Sequence, residues 1–324
     1  MRDARVIFVT GKGGVGKTTV AAALGLYAAD HQQRTLIIET AGDGSLAHLF
    51  GHRTLSTTPQ RLQSGLAAVR VDARQLVEEY FSRLLRFQWL SNRLLSSSTF
   101  NALTAAAPGI TEFLILEKIL GWVEPGFATR RRGYDVVIVD GPATGHAIRL
   151  LRTPRNLATL VPSGPLGKTA RRLLALIGDR QRTQIVLVSL PEEMAVRETI
   201  ETHEVLAGDL ALRVARPVIN RIFPRHFTAA EAAQLSTGNG APLFAAARFS
   251  IAARREAERH VAQLRRALGV SPILLRQVFA ADVQATHLLA IGRTLGREVF
   301  GDRASKDAVS SVEPPVSHTP DARY

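Results

Sequence analysis

Gly11-Lys12-Gly13-Gly14-Val15-Gly16-Lys17-Thr18-Thr19 follows the spacing G-x-x-x-x-G-K-[ST], with Gly11, Gly16, Lys17 and Thr18 in the defining places. Glycines at this spacing let backbone N–H groups close around phosphate oxygens, and Lys17 brings an ammonium to the terminal phosphates. The Thr18 hydroxyl is placed to ligate Mg²⁺. The flanks fit this chemistry. Arg5 to Thr10 is a short apolar, β-branched run that reads as a buried strand, and Thr18 to Ala29, rich in Ala and Leu, reads as a helix. In that order the helix N-terminus adds its partial positive charge at the phosphates. The whole stretch from Gly11 to Thr19 is therefore assigned to a bound nucleoside triphosphate. Lys12 exceeds what phosphate cradling needs, and it narrows the group of proteins to consider.

Working outward, Thr35–Glu39 reads as a second buried strand, followed by the turn-rich Ala41-Gly42-Asp43-Gly44-Ser45. Leu66–Val71 is a weaker third strand. From Arg74 to about Leu95 the apolar spacing turns helical, and Ile110–Val123 is a second helix with Phe113, Leu116 and Leu120 on one face. Tyr134–Val139 is the clearest strand, ending in Asp140. Ile185–Ser189 and Pro217–Asn220 are two more, each followed by helical sequence. Ala245–Leu268 is a long charged helix, Ile273–Leu275 a short last strand, and Val283–Leu295 a closing helix. Strands alternating with helices predict an α/β fold, a mostly parallel sheet with helices on both faces. Its organisation is one phosphate-loop domain over 1–300, with a helical subdomain at 74–127 and a polar, Pro-containing, disordered tail at 301–324. Ligands of such sheets sit at the carboxyl ends of strands, where Gly11, Glu39, Asp140 and Asn220 all fall.

Composition removes several classes. No cysteine is present, which excludes disulfides, thiolate metal sites and thiol redox chemistry, and none of the nine histidines falls at ligand spacing. No stretch has the apolar length that crosses a bilayer, no secretory leader is expected, and the expected location is the cytoplasm. The net charge of +13 raises the possibility of a polyanion partner. However, only five lysines (12, 17, 118, 168 and 306) occur among 41 basic residues, and the arginines are spread out, with short clusters at Arg130-Arg131-Arg132 and Arg171-Arg172. That bias, beside abundant Ala, fits the codon usage of a GC-rich genome, so nucleic acid is not the expected partner.

The loop with its second lysine resembles the deviant phosphate loop of the MinD, ParA, nitrogenase iron-protein and ArsA group of ATPases. A second segment is more specific. Asp140-Gly141-Pro142-Ala143-Thr144-Gly145-His146-Ala147-Ile148-Arg149-Leu150-Leu151 is similar to the D-T-A-P-T-G-H-T-x-R-L-L segment of ArsA-type ATPases, a family that includes the arsenite-pump ATPase and the targeting ATPase for tail-anchored membrane proteins. Pro108-Gly109-Ile110-Thr111-Glu112, Pro191-Glu192 with Glu198-Thr199, and Val218-Ile219-Asn220-Arg221 resemble further family segments in the same order, so the likeness covers roughly residues 5 to 300. The resemblance implies ATP and Mg²⁺ as ligands. It also implies a dimer, of two copies or with a paralogue, in which Lys12 reaches the partner's phosphates, and a protein client or membrane partner met by the helical segment.

Residue chemistry agrees with these roles. Asp140 at a strand end can hold Mg²⁺ with Thr18. The Gly145-His146 turn can couple the γ-phosphate to a helix, or His146 can simply cap or pack it. Asn220 carries the donor and acceptors an adenine edge needs, or it forms a turn. Lys12 and Lys17 stabilise charge developing during transfer.

Two departures matter. The family's second strand ends in D-P-A-H-S, whose Asp orients the attacking water; the aligned residue here is Ala41. Asp43 or Glu39 can supply a displaced carboxylate, with Asp43 the assigned substitute, or turnover is weak. Without cysteine, neither an arsenite site nor the family's dimer-pinning zinc can form. Three readings follow: an ATPase acting on a protein partner, a nucleotide-gated binding module with little turnover, and a ParA- or MinD-like positioning ATPase. The Asp140 segment favours the first. Phe81, Phe87, Trp89 and Trp122 in the helical segment either line a client groove or pack its helices together.

Overall fold

A computed structural model describes residues 5–40, 44–85, 109–124, 133–161, 163–237 and 242–301. Eight strands form one sheet: β1 (Arg5–Gly11), β2 (Thr35–Glu39), β3 (Gln60–Gln63), β4 (Leu66–Arg70), β5 (Val136–Asp140), β6 (Thr183–Ser189), β7 (Val218–Ile222) and β8 (Ile273–Arg276). Their spatial order is β3-β4-β2-β5-β1-β6-β7-β8, and every pair is parallel except β3–β4. Sheets of this kind are covered on both faces, so their central strands read as unbroken apolar runs. β2, β5 and β6 are accordingly buried at every residue.

The ten α-helices among the described residues are α1 (Lys17–Asp30), α2 (Ser45–Leu49), α3 (Ala73–Leu85), α4 (Ile110–Val123), α5 (Thr144–Leu160), α6 (Gly164–Gly178), α7 (Glu193–Glu204), α8 (Ala229–Thr237), α9 (Pro242–Leu268) and α10 (Ala285–Phe300), and a π-helical turn, Val205–Asp209, continues α7. One core, built on Ile7, Val9, Ile37 and Ile138, packs under α1, α2 and α10. Alternation along the same strands sends Phe8, Ile38 and Val139 to the opposite face, under α4, α5 and α6. That face continues beneath α7 and α9 through Val196, Ile219 and Ala257. α1 is buried along its length because α10 crosses it closely. A Cβ on Gly292 would lie 2.5 Å from the Ala23 carbonyl oxygen, and one on Gly296 would overlap the Tyr27 ring. Glycine is therefore required at both places on α10, against the Ala23 backbone and the Tyr27 ring of α1.

The parallel sheet with helices on both faces is as the sequence predicts. β3 is not anticipated, because a four-residue edge strand of Gln, Arg, Leu and Gln carries little apolar signal. The turn-rich segment before Ser45 yields to the short α2, and α10 runs on to Phe300. The helix expected from Arg74 is described as far as Leu85; Phe87, Trp89, Pro108, Arg130-Arg131-Arg132 and the tail lie outside the described residues. Phe113, Leu116 and Leu120 do share a face, and all three are buried in the core. Between α3 and α4 lies an open groove of about 860 Å³ whose described rim sets Glu78, Glu79, Glu117 and Lys118 beside Leu76, Leu114 and Trp122, and so is neither purely apolar nor purely charged. No helix among the described residues is long and apolar enough to cross a membrane.

Candidate active site

β1 ends at Gly11, and the chain then turns through Lys12–Gly16 into α1. β1 occupies the place where the sheet's connections diverge: the chain leaves it for β2 on one side, and later crosses it from β5 to β6. In parallel sheets that is where ligands bind. Val15 is buried in the core and pins the middle of the loop, while Gly13 and Gly14 are exposed. The glycines divide by role. A Cβ on Gly11 would overlap the Val188 carbonyl oxygen and one on Gly16 would overlap the Asn220 amide, whereas Cβ atoms on Gly13 and Gly14 would meet nothing within 4 Å. Gly16 also takes the left-handed conformation (φ 93°). Lys17 Nζ donates to the Lys12 carbonyl at 3.1 Å, so the loop's own backbone holds the ammonium in its concavity. α1 has no side-chain cap and no acidic residue in its first turn. Its leading N–H groups thus suit an anion. A loop with an open glycine edge ahead of an uncapped helix fits a polyphosphate.

The carboxylates stand beside it. Asp140 and Glu39 are Cα partners at the last paired position of β5 and β2, and Asp140 pairs on its other side with Val9 of β1. Both acids are buried, and alternation places both on the α1 face, with Ile138 and Ile37. Thr40 Oγ1 donates to the Asp140 carbonyl at 2.7 Å and Thr10 Oγ1 to the Pro142 carbonyl at 2.8 Å, fixing the strand ends to one another. Ser45 Oγ donates to Thr18 Oγ1 at 3.3 Å, and the next amide, Leu46 N–H, donates to Glu39 Oε1 at 3.3 Å. A threonine hydroxyl and a strand-end carboxylate form the hard oxygen donor set that Mg²⁺ prefers. Thr18 and Asp140 therefore suit that ion.

Asn220 serves the loop directly. A register shift between Ile219 and Ile222 and a left-handed Arg221 (φ 58°) end β7 in a bulge. From it the Asn220 amide donates to the Val15 carbonyl at 3.0 Å, while its oxygen accepts from Arg221 N–H at 2.9 Å. The side chain read from sequence as an adenine contact or a turn former fastens the phosphate loop in this structure. The sequence carried no signal for that, because the bulge that aims it depends on β8.

The segment after Asp140 is equally tied down. Gly141 N–H donates to the Val9 carbonyl at 2.9 Å, and α5 starts at Thr144, whose hydroxyl donates to the Glu198 carboxylate on α7. His146 is exposed in the first turn of α5. Further along, Arg149 forms a 2.7 Å ion pair with Glu112 of α4. Sequence reasoning noted Glu112 and Glu198 as motif matches only. The structure brings both to α5. Ala41, Gly42 and the assigned Asp43 lie outside the described residues.

Residues 4–163 match the family model described as anion-transporting ATPase. ATPase BagA of Mycobacterium tuberculosis is 29% identical over 239 residues, covering 72% of this chain and 70% of its own. The arsenical pump-driving ATPase of Escherichia coli is 27% identical over 236 residues, and that of Acidiphilium multivorum 27% over 235. Each of these alignments covers 67% of this chain and 39% of the relative, so the match spans well under half of the arsenical pump-driving proteins. The matched segment runs from β1 through the phosphate loop and both strand-end acids to the end of α5, and with these relatives it establishes that the chain belongs to the ArsA-type family of P-loop ATPases.

Proposed function

We propose that the chain is a Mg²⁺-dependent ATPase of the cytoplasm that opens and closes as a dimer and acts on a protein partner. The observation that carries this reading is the loop pinned by Val15 and Asn220, with its open Gly13-Gly14 edge facing away from the core. Backbone N–H groups from Gly13 to Thr19 would hold the phosphates, and Lys17 the terminal ones. Thr18 and Asp140 would hold Mg²⁺, which when bound neutralises charge on the phosphoryl oxygens. Lys12, contributed by the facing subunit, would add positive charge where it develops during transfer. Asp43 would orient the attacking water in place of the Asp that Ala41 lacks. His146, at the start of α5, would sense the γ-phosphate.

The path outward supports coupling. α5 starts at the nucleotide end, and its Arg149 grips Glu112 at the start of α4, part of the 74–127 helical subdomain. A shift of α5 on phosphate release would therefore be felt where a client would dock.

ATP turnover of the purified chain, measured from dilute monomer to concentrated dimer, tests this. Turnover per subunit should rise with dimer fraction and vanish in Lys12→Ala. A rate per subunit that stays flat through demonstrated dissociation sinks the trans role of Lys12. The second reading, a nucleotide-gated module with little turnover, draws on Ala41. It expects tight ATP binding with negligible hydrolysis at every concentration.

A further inference from the structure

We infer that Glu39 is a positioning residue for the divalent cation of this site. The inference rests on the nucleotide reading above and gives Glu39 a role distinct from that of the missing water-orienting Asp.

Glu39 stands level with Asp140, as its Cα partner on the adjacent strand, and the two are 1% and 2% exposed. Neighbouring strands run about 4.8 Å apart, so the two acids project side by side from one face of the sheet. A divalent cation bound at these strand ends would be the largest local charge beside both acids. α2 makes the connection specific, because consecutive residues Ser45 and Leu46 hydrogen-bond to the Thr18 hydroxyl and the Glu39 carboxylate respectively. The expected metal ligand and the extra acid are thus joined through one short turn of backbone. An aliphatic residue would satisfy the core at this position; a buried acid serves a charge.

Place in the fold separates this role from catalysis by a base. The family's water-orienting Asp aligns with Ala41, in the turn-rich sequence beyond β2, whereas Glu39 lies within the strand and level with Asp140. Glu39 therefore acts at the level of the metal and leaves water positioning to Asp43.

The test uses the full chain with mant-ADP and Mn²⁺ as probes. Mn²⁺ affinity of the mant-ADP complex is read from the free-ion EPR signal, and mant-ADP affinity is read separately in EDTA. Glu39→Gln keeps shape and the acceptor for Leu46 N–H; it should weaken Mn²⁺ by about 10–100-fold while metal-free mant-ADP affinity stays within about twofold. Glu39→Asp, which keeps the charge but withdraws it, should fall between Glu39→Gln and the unaltered chain. Unchanged Mn²⁺ affinity in Glu39→Gln overturns the inference, and lost turnover beside it would make Glu39 the base. Loss of the thermal transition in both variants also overturns it, since Glu39 would then be a folding residue. If the unaltered chain binds no mant-ADP, the nucleotide reading fails first and takes this inference with it.

Discussion

The phosphate loop and the end of β2 stand at strand ends on either side of β5, yet they are built on opposite terms. In the loop, Gly11 and Gly16 are fixed by what lies behind them, the Val188 carbonyl and the Asn220 amide. In the proposed reading, grip on the phosphates comes from backbone N–H groups, which glycine lets approach most closely. At the end of β2 the work belongs to side chains, and there the sequence departs from its family: Glu39 is an acid within the strand and Ala41 stands where the water-orienting Asp is expected. Backbone chemistry constrained by sterics is hard to vary. Side-chain chemistry at a turn is easy to vary. On the proposed reading, substitutions at the two places should separate binding from hydrolysis.

The largest effect should come from setting two glycines of one loop against each other. Gly11→Ala places a methyl on a backbone carbonyl that cannot swing away, and should destabilise by about 3 kcal/mol or more, at the upper end for overpacking. For a domain of about 300 residues that lowers the melting midpoint by about 5 °C. Gly13→Ala projects into open space and should change stability by about 0.5 kcal/mol or less, as for a surface substitution. Its mant-ATP affinity should nevertheless fall about tenfold or more, because the methyl stands where phosphate oxygens approach the loop. Thermal melts and mant-ATP titrations of both variants decide the matter. Equal stability losses would break the distinction between packed and open glycines.

The second prediction concerns hydrolysis alone. Asp43→Ala should lower ATP turnover about tenfold or more, since misplacing a water by about 1 Å can cost as much as 100-fold. Ala41→Asp in the same chain should restore it, with ATP affinity unchanged in both. Steady-state turnover beside mant-ATP titration separates the outcomes. If turnover is negligible until Ala41→Asp is introduced, Asp43 is not the substitute and the binding-module reading gains.

How far the sequence could be read follows the same division. β5 and the turn from β1 to α1 were legible because buried parallel strands and glycine loops impose their residues locally. The acids at Glu39 and Asp140 could be placed at strand ends, but their pairing in register depends on β2 and β5 being neighbours although 96 residues separate the end of one from the start of the other. Asn220 was found for its chemistry, yet its bond to Val15 crosses 205 positions and needs the Arg221 bulge. β3 was missed because a polar edge strand has no apolar alternation to report. Local sterics are written in adjacent residues, whereas register between distant strands is not.

A small thermodynamic effect is expected where the site meets the helical segment. The Arg149–Glu112 pair is short at 2.7 Å, but the arginine side chain is 61% exposed. Glu112 is 15% exposed, so the pair is half-buried, and Arg149→Ala should lower stability by about 1–2 kcal/mol, a small change in the melting midpoint. Its loss should still be visible in communication. Nucleotide-dependent change in amide exchange across α4 should be strongly reduced in Arg149→Ala. It should persist in Arg172→Ala, which removes the pair with Glu124 at the far end of the same region without touching α5. Both substitutions delete an exposed arginine, but Glu124 keeps Arg182 as a partner while Glu112 is left more buried, so each variant's melt is compared with its exchange response. A mechanical link from the phosphate loop through α5 would abolish the response in the first variant beyond what its melt accounts for. If both variants keep the exchange response, α4 receives the nucleotide state through buried packing. The division between backbone-built binding and side-chain-built function would then stop at the active site.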